Sequence, residues 1–126
     1  MSPRAVGATQ TELARIGLLA TLSGETLARL AQNMTREELP AGAGVISEGD
    51  QGDRFYVVLN GMLYVTQESR GTQAVLRPGD YFGEVGLAMG IPRTASVRAL
   101  TPSVVASCDK AAFDEFVRPL FADDAG

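Results

Sequence analysis

The feature that most constrains the fold is a series of short apolar runs after Met34, each ended by glycine, proline, aspartate or asparagine. Runs of this length between turn residues are typical of β-strands. The runs cover 44–47, 55–59, 62–65, 73–76, 94–100 and 103–108. Six or seven short strands in this rhythm predict a mainly β domain, a β-jelly-roll barrel (double-stranded β-helix) over residues 34–108.

Two of the intervening segments carry specific turn chemistry. Asn60-Gly61 separates two apolar runs and favours a tight hairpin, since both turn positions would take positive φ. Arg77-Pro78-Gly79-Asp80 places Pro-Gly at the centre of a turn and predicts type II geometry. We therefore expect the strands 55–59 and 62–65 to pair directly.

The strands are flanked by helical patterns. Residues 1–9 lack periodicity and predict a flexible arm, whereas the leucine spacing over 10–32 predicts helices, one of them capped by Ser23. Asp109 offers a cap for a closing helix over 109–121. Residues 10–126 are thus expected to form one domain, with helices before and after the barrel.

Composition excludes several classes of function. A net charge of −4 argues against a DNA or RNA partner, which normally requires a basic surface. The chain has no histidine, which removes the usual zinc, non-haem iron and catalytic-triad sites. The same absence argues against a cupin-like β-barrel enzyme, because the metal site of that family is built largely from histidines. We expect no catalytic residues, no metal and no cofactor.

Cysteine usage and hydropathy bear on the compartment. The single cysteine, Cys108, cannot form an internal disulfide, and we expect it to be a small buried apolar residue. No apolar run approaches the roughly 20 residues of a membrane span, and the first residues lack a signal-peptide pattern. These features predict a cytoplasmic protein without a membrane span.

The segment from Phe82 to Ala95 interrupts the strand pattern. Between Gly83 and Gly90 there is room for little more than one helical turn, and Pro92 prevents the helix from resuming. A short helix that begins beside Gly83 exposes unpaired amide groups, which favour an anion. The segment therefore predicts a site where a ligand approaches the backbone closely.

Two charged residues in this segment define the ligand further. Arg93 shares the parity of Val97, so a core-facing Val97 would aim the Arg93 guanidinium inward, where it suits a phosphate. Glu84 accepts hydrogen bonds without donating, so beside an anion it should hold a ribose hydroxyl. A ligand that offers a phosphate and a free 2′-hydroxyl is a 3′,5′-cyclic nucleotide.

These motifs resemble those of the cyclic-nucleotide-binding domain family, which includes catabolite-activator-type regulators and protein kinase regulatory subunits. The resemblance spans about Leu13 to Val117. It is carried by Phe82-Gly83-Glu84 followed by Pro92-Arg93-Thr94-Ala95, and upstream by 49–53, Phe55-Tyr56 and Asn60-Gly61. It implies a jelly-roll barrel with a short helix in its phosphate-binding cassette.

The resemblance also implies residue roles. Glu84 would take the ribose 2′-hydroxyl and Arg93 the exocyclic phosphate oxygens. Asp53 would pair with Arg93, and Leu87 would be an apolar relay that shifts when the cassette closes. Backbone or base contacts would come from Gly83, Val85, Gly86, Thr94 and Ala95. Two alternatives are open for the apolar residues of the closing helix, which either pack against the barrel or partly cover the pocket: Phe113, Phe116, Leu120 and Phe121.

Two functional hypotheses remain open from the sequence. The first is a non-enzymatic sensor that binds cyclic AMP in preference to cyclic GMP and signals to a protein effector or a second copy of the chain. The second is a degenerate barrel that serves as an oligomerisation or docking module. Thr94 does not decide between the two nucleotides, because members with either preference carry threonine there.

Overall fold

The computed structural model describes residues 8–122. The helical elements are α1 (Gln10–Ala14), a 3₁₀ turn (Gly17–Leu19), α2 (Gly24–Ala31), α3 (Glu84–Met89), α4 (Lys110–Ala112), a π-helical segment (Phe113–Val117) and α5 (Arg118–Ala122). The strands are β1 (Thr35–Leu39), β2 (Gly44–Ile46), β3 (Arg54–Asn60), β4 (Leu63–Gln67), β5 (Gly71–Leu76), β6 (Tyr81–Phe82), β7 (Ser96–Ala99) and β8 (Ser103–Asp109).

The N-terminal helices begin at side-chain caps. Thr9 and Glu12 form a reciprocal capping box at α1, and the Ser23 side chain accepts from the amide of Thr26 at α2, as its position predicted. Most of the expected arm, residues 1–7, lies outside the described residues. Its last two residues are ordered, because Ala8 is buried and Thr9 caps α1.

The eight strands form two four-stranded sheets with the orders β1-β8-β3-β6 and β2-β7-β4-β5. Every pairing between these strands is antiparallel. The predicted fold class is confirmed as a jelly-roll-like arrangement, mainly β with flanking helices. The strands stack as two sheets rather than as one closed barrel.

The predicted hairpin at Asn60-Gly61 is wrong, because β3 and β4 belong to different sheets. Asn60 pairs with Val104, whereas Leu63 pairs with Leu76 and Ala99. No residue other than glycine has positive φ in the part of the chain described, so Asn60 does not adopt the expected turn conformation.

Gly61 instead turns the chain from one sheet to the other. At φ 79° it lies against the crossover from β7 to β8, where a side chain would collide with Pro102 and Ser103. Met62 accepts from the amide of Leu100 at 2.8 Å, which joins the two crossovers. The turn signal thus correctly predicted that the strand ends here, but it did not predict that the chain crosses to the other sheet.

The turn before β6 agrees with its predicted type. Gly79 has φ 101°, and the amide of Asp80 donates to the carbonyl of Arg77 at 2.9 Å. This is the geometry of a type II turn with Pro78 in its second position. The amide of Gly79 also donates to the carbonyl of Val58, which fixes the turn on β3.

The core has two parts separated by β3. Phe55 and Val57 pack among the buried side chains of the helices, whereas Tyr56 and Val58 belong to the cluster between the two sheets. The alternation follows from the two-residue period of a strand. Both faces of β3 are therefore buried.

The C-terminal helix is capped as predicted, with the Asp109 carboxylate accepting from the amide of Ala112 at 2.9 Å. It then widens into the π-helical segment, where the amide of Arg118 donates to the carbonyl of Phe113. Pro119 lacks an amide hydrogen and its ring crowds the carbonyl of Glu115, so an ordinary α-helical turn is disfavoured there.

Candidate functional site

A cavity of about 120 Å³ lies between α3 and the inner face of the sheet that contains β7. All seven residues predicted to contact the ligand line it: Gly83, Glu84, Val85, Gly86, Arg93, Thr94 and Ala95. The remaining wall is formed by Ile46, Val65, Phe82, Pro92 and Val97. Two separate parts of the sequence motif therefore meet around one space.

Helix α3 forms one side of the cavity. Gly83 caps its start at φ 94° and Gly90 ends it at φ 67°, both in the left-handed region that favours glycine. Gly86 and Leu87 are buried, Glu84 is half-buried and Val85 is exposed. The single short helix expected between the two glycines is present.

Arg93 is a buried cation without a described carboxylate partner. It is 7% exposed, and its guanidinium donates to the carbonyl oxygens of Gly83 at 2.9 Å and Arg54 at 2.8 Å. Among residues 8–122 it forms no ion pair. A buried charge paired only with carbonyl dipoles retains a strong preference for an anion.

Three glycines allow the guanidinium to lie flat against the backbone. A Cβ at Gly52 would lie 2.6 Å from Cζ of Arg93, and a Cβ at Gly83 or Gly86 would lie 3.2 Å from its Nη1. The sequence led us to expect that Gly83 and Gly86 give room to a ligand. In the structure they give room to the arginine.

The loop between β2 and β3 also holds Arg93 through its backbone. The Arg93 amide donates to the carbonyl of Asp50 at 2.7 Å, and the Arg93 carbonyl accepts from the amide of Gly49 at 2.8 Å. Gln51 forms an isolated antiparallel bridge with Pro92. The family resemblance implied that this glycine-rich loop contacts Arg93 through the Asp53 side chain, whereas the observed contacts run through its backbone.

The expected ion pair between Asp53 and Arg93 is absent. Asp53 is exposed, and the described hydrogen bonds of the guanidinium go to the two carbonyl oxygens. Leu87, the expected relay residue, is 2% exposed and packs within the helical part of the core. It thus connects α3 to the elements that flank the sheets.

Glu84 and Thr94 offer free polar groups to the cavity. Neither side chain forms a hydrogen bond or an ion pair within the described range 8–122, although both line the cavity that Arg93 lines. The Thr94 carbonyl accepts from Gln67, which fixes its backbone. The cavity therefore combines an uncompensated cation, an uncompensated carboxylate and a hydroxyl.

Sequence reasoning missed the supports behind Arg93. The Arg54 side chain donates to the hydroxyl of Ser107 at 2.8 Å and to its carbonyl at 3.1 Å, which anchors β3 on β8 beside the carbonyl that Arg93 uses. No sequence pattern predicts that Arg54 supports Arg93, because the atom that accepts from Arg93 is the Arg54 backbone oxygen.

Tyr56 is a second missed neighbour. Its ring stacks on Phe82 with centroids 4.8 Å apart. Burial raises the pKa of Tyr56, and the positive charges of Arg93 and Arg54 oppose that rise. Phe82 is thus held rigidly at the point where the chain enters Gly83.

No helix within residues 8–122 is long and apolar enough to cross a membrane. No group of three or more cysteine, aspartate or glutamate side chains in that range has the geometry to hold a metal ion.

Comparisons with known proteins agree with this geometry. The sequence model of the cyclic nucleotide-binding domain matches residues 36–119. The cAMP-dependent protein kinase regulatory subunit of Eremothecium gossypii is 41% identical over 103 residues, which cover 82% of this chain and 22% of that protein. The chain therefore spans less than a quarter of the length of this curated relative.

Two solved structures share the fold. The regulatory domain of Toxoplasma gondii PKA with cAMP has a TM-score of 0.84 at 24% identity, over 92% of this chain and 48% of that chain. The regulatory subunit of a cAMP-independent protein kinase A from Trypanosoma brucei has a TM-score of 0.85 at 23% identity, over 91% of this chain and 42% of that chain. With its motifs, its cavity and the family match taken together, the chain belongs to the cyclic nucleotide-binding domain family.

Proposed function

We propose that this chain is a non-enzymatic regulatory domain that binds a 3′,5′-cyclic nucleotide, with cyclic AMP preferred over cyclic GMP. The observation that carries the proposal is the pair of unpartnered charges in one cavity. Arg93 and Glu84 both line it, yet they form no ion pair with each other or with any residue in the range 8–122. A ligand with an anionic oxygen and a neighbouring hydroxyl satisfies both.

In the proposed complex, Arg93 binds the exocyclic phosphate oxygens. A guanidinium has five N–H donors, and the described hydrogen bonds to Gly83 and Arg54 use two of them. The remaining donors can form charge-assisted hydrogen bonds to a phosphate, which is worth more in a desolvated site than in water. The amides of Val85 and Gly86 and the backbone of Ala95 complete the contacts.

Glu84 binds the ribose 2′-hydroxyl in the same complex. Its carboxylate is half-buried beside an anion-binding site, so a hydroxyl donor suits it and a second anion does not. The two solved structures have the same fold, although one is a PKA regulatory domain with cAMP and the other is the regulatory subunit of a cAMP-independent protein kinase A. Residues of the cavity, rather than the fold, must therefore carry ligand specificity.

The preference for cyclic AMP rests on sequence similarity, because Thr94 does not distinguish the two nucleotides. The relative from Eremothecium gossypii is named as a cAMP-dependent kinase regulatory subunit. Thr94 is exposed at the cavity mouth, where a base would lie, and its hydroxyl could accept from or donate to either purine. We assign the preference to cyclic AMP and make cyclic GMP the comparison in the experiment.

The proposed response to ligand passes through α3. Leu87 lies in the helical part of the core, so movement of α3 toward the phosphate changes packing against the C-terminal helix. Phe113 and Phe121 of the C-terminal helix and Val85 and Met89 of α3 line a shared surface depression. The recipient of the signal is proposed to be a protein effector or a second copy of the chain.

Calorimetric titration with cyclic AMP and cyclic GMP side by side tests the proposal. We expect saturable binding of both with a lower Kd for cyclic AMP, and a ligand at about a hundred times its Kd should add about 2.7 kcal/mol to the free energy of unfolding. Binding of neither nucleotide, with no shift in Tm, would favour the degenerate docking module. Tighter binding of cyclic GMP would reverse the assigned preference only.

A further inference from the structure

A second cavity, of about 230 Å³, shares no lining residue with the nucleotide cavity. It lies between the end of α1, the start of β1, the end of β3 and the turn at Pro78-Gly79. A Cβ at Gly79 would lie 3.8 Å from the carbonyl oxygen of Arg15, so the turn and the helix end meet and close one side. The space is therefore bounded by four separate parts of the chain.

The polar groups of this cavity favour an anion. Arg15 and Arg36 line it against a single carboxylate, Glu12, which leaves a lining charge of two minus one, or +1, on a chain of net charge −4. Glu12 and Arg36 are already engaged with each other, because one oxygen of Glu12 accepts from Arg36 at 3.2 Å and the other from the amide of Thr9 at 3.0 Å. Arg36 also lies 3.7 Å from a carboxylate oxygen of Glu38, so its charge is compensated within the protein. Arg15 forms no ion pair or side-chain hydrogen bond with residues 8–122.

A further donor and an apolar wall complete the cavity. The side-chain oxygen of Asn60 accepts from the amide of Gly61 at 2.8 Å, which turns the Asn60 amide nitrogen outward as a donor. Ile16 and Val58 are buried behind it, and Leu59 is half-buried. Binding sites for small molecules combine apolar walls with a few polar groups of this kind.

We propose that this cavity binds a small organic anion, in which a carboxylate or phosphate group is attached to a compact apolar body. Arg15 holds the anionic oxygens by charge-assisted hydrogen bonds, with the Asn60 amide as a second donor. The apolar body lies against Leu59 and Pro78, which line the cavity and are not fully buried. The site is independent of the nucleotide cavity and does not rest on the function proposed for it.

Backbone amide spectra of the full chain, titrated separately with benzoate, phenyl phosphate and inorganic phosphate, test the site. We expect saturable shifts at the amides of Ile16, Leu59 and Gly79 with at least one aromatic anion, and weaker binding of inorganic phosphate, which leaves the apolar wall uncovered. A lower Kd for benzoate than for phenyl phosphate identifies a carboxylate ligand. A lower Kd for phenyl phosphate identifies a phosphate ligand.

Two variants make the assignment specific. Arg15→Ala should raise the Kd of the bound probe about tenfold, since it removes one charge-assisted contact. Arg70→Ala is the control, because Arg70 is an exposed arginine that does not line the cavity. This variant should bind the probe with the Kd of the parent chain. Arg15 is exposed, so thermal melting should confirm that its variant remains folded.

Three outcomes would overturn the proposal. The first is the absence of saturable shifts at the cavity amides with all three probes. The second is an equal Kd in the parent chain and the Arg15→Ala variant. The third is a set of shifts confined to 83–95, which would place the anion in the nucleotide cavity and leave the second cavity without a ligand.

Discussion

Gly52 and the Arg93 guanidinium are so close that a Cβ at Gly52 would lie 2.6 Å from Cζ of Arg93. The arginine is closely confined, because it is 7% exposed and also lies against Gly83 and Gly86. A residue from a turn thus determines where the charged group of the site can lie.

Gly52→Ala should therefore displace Arg93 and weaken cyclic nucleotide binding. We expect an increase in Kd of about tenfold or more, equal to about 1.4 kcal/mol, because the hydrogen bonds of Arg93 to Gly83 and Arg54 cannot all be kept. Calorimetry measures the effect. Gly17→Ala is the matched control, since a Cβ at Gly17 meets no atom within 4 Å. An unchanged Kd in Gly52→Ala would show that the arginine position is not critical.

Arg93 should not be replaceable by another cation. Arg93→Ala is expected to cost about 2–5 kcal/mol of binding free energy, as when one member of a desolvated charge pair is removed. Arg93→Lys should recover only a small part, because an ammonium cannot reach two carbonyl oxygens and a phosphate at once. Arg98→Ala serves as the control, since the Arg98 side chain is exposed and, among the described residues, donates a hydrogen bond only to the carbonyl of Gly42. Full recovery by lysine would contradict a bidentate role.

Glu84 should be sensitive to the sugar of the ligand. Glu84→Gln is expected to weaken cyclic AMP by about 1.5–3 kcal/mol, the range for a hydrogen bond to a charged group, and to leave 2′-deoxy cyclic AMP nearly unaffected. Titration of both ligands against both proteins completes a double-mutant cycle. If the variant weakened the two ligands equally, Glu84 would lie away from the ribose.

Cys108 should be chemically silent in the folded chain. The thiol is 0% exposed, and burial raises its pKa from 9.0 to about 12. A thiol reagent at about pH 8 should react only as fast as the chain unfolds, and rapid labelling of the native protein would contradict the burial.

The same thiol links stability to pH. Below about pH 9 it carries its proton in both states, whereas between about 9 and 12 the unfolded thiol releases its proton and the folded one retains it. The free energy of unfolding should therefore fall as pH rises through this window. Denaturant titrations above pH 9 measure the slope, which should be smaller in a Cys108→Ala variant.

Much of the site could be predicted because it is local in sequence. Gly83, Glu84, Gly86, Arg93 and the residues between them lie within one short segment whose turn chemistry prescribes a brief helix and a return strand. Arg93 and Val97 are both buried as expected, although β7 begins only at Ser96, so strand alternation does not extend to Arg93. The inferences from glycine succeed because glycine φ preferences act over a few residues.

The errors arose where two distant segments meet. Asn60-Gly61 carries a strong hairpin signal, yet its strands join different sheets, because Gly61 must pass beneath the crossover at Pro102. The expected partner of Arg93, Asp53, was replaced by the carbonyl of Arg54. Neither choice can be inferred locally, since every residue has a carbonyl group.

The sequence by itself determined the family, the alternation of short strands and the residues around the cassette, because each depends on interactions between near neighbours in the chain. Only the tertiary structure decided which strands share a sheet, which atoms hold Arg93 and that Gly52 lies against it. Those outcomes depend on packing between segments that are far apart in sequence, where shape and available volume, rather than residue type, select the contacts.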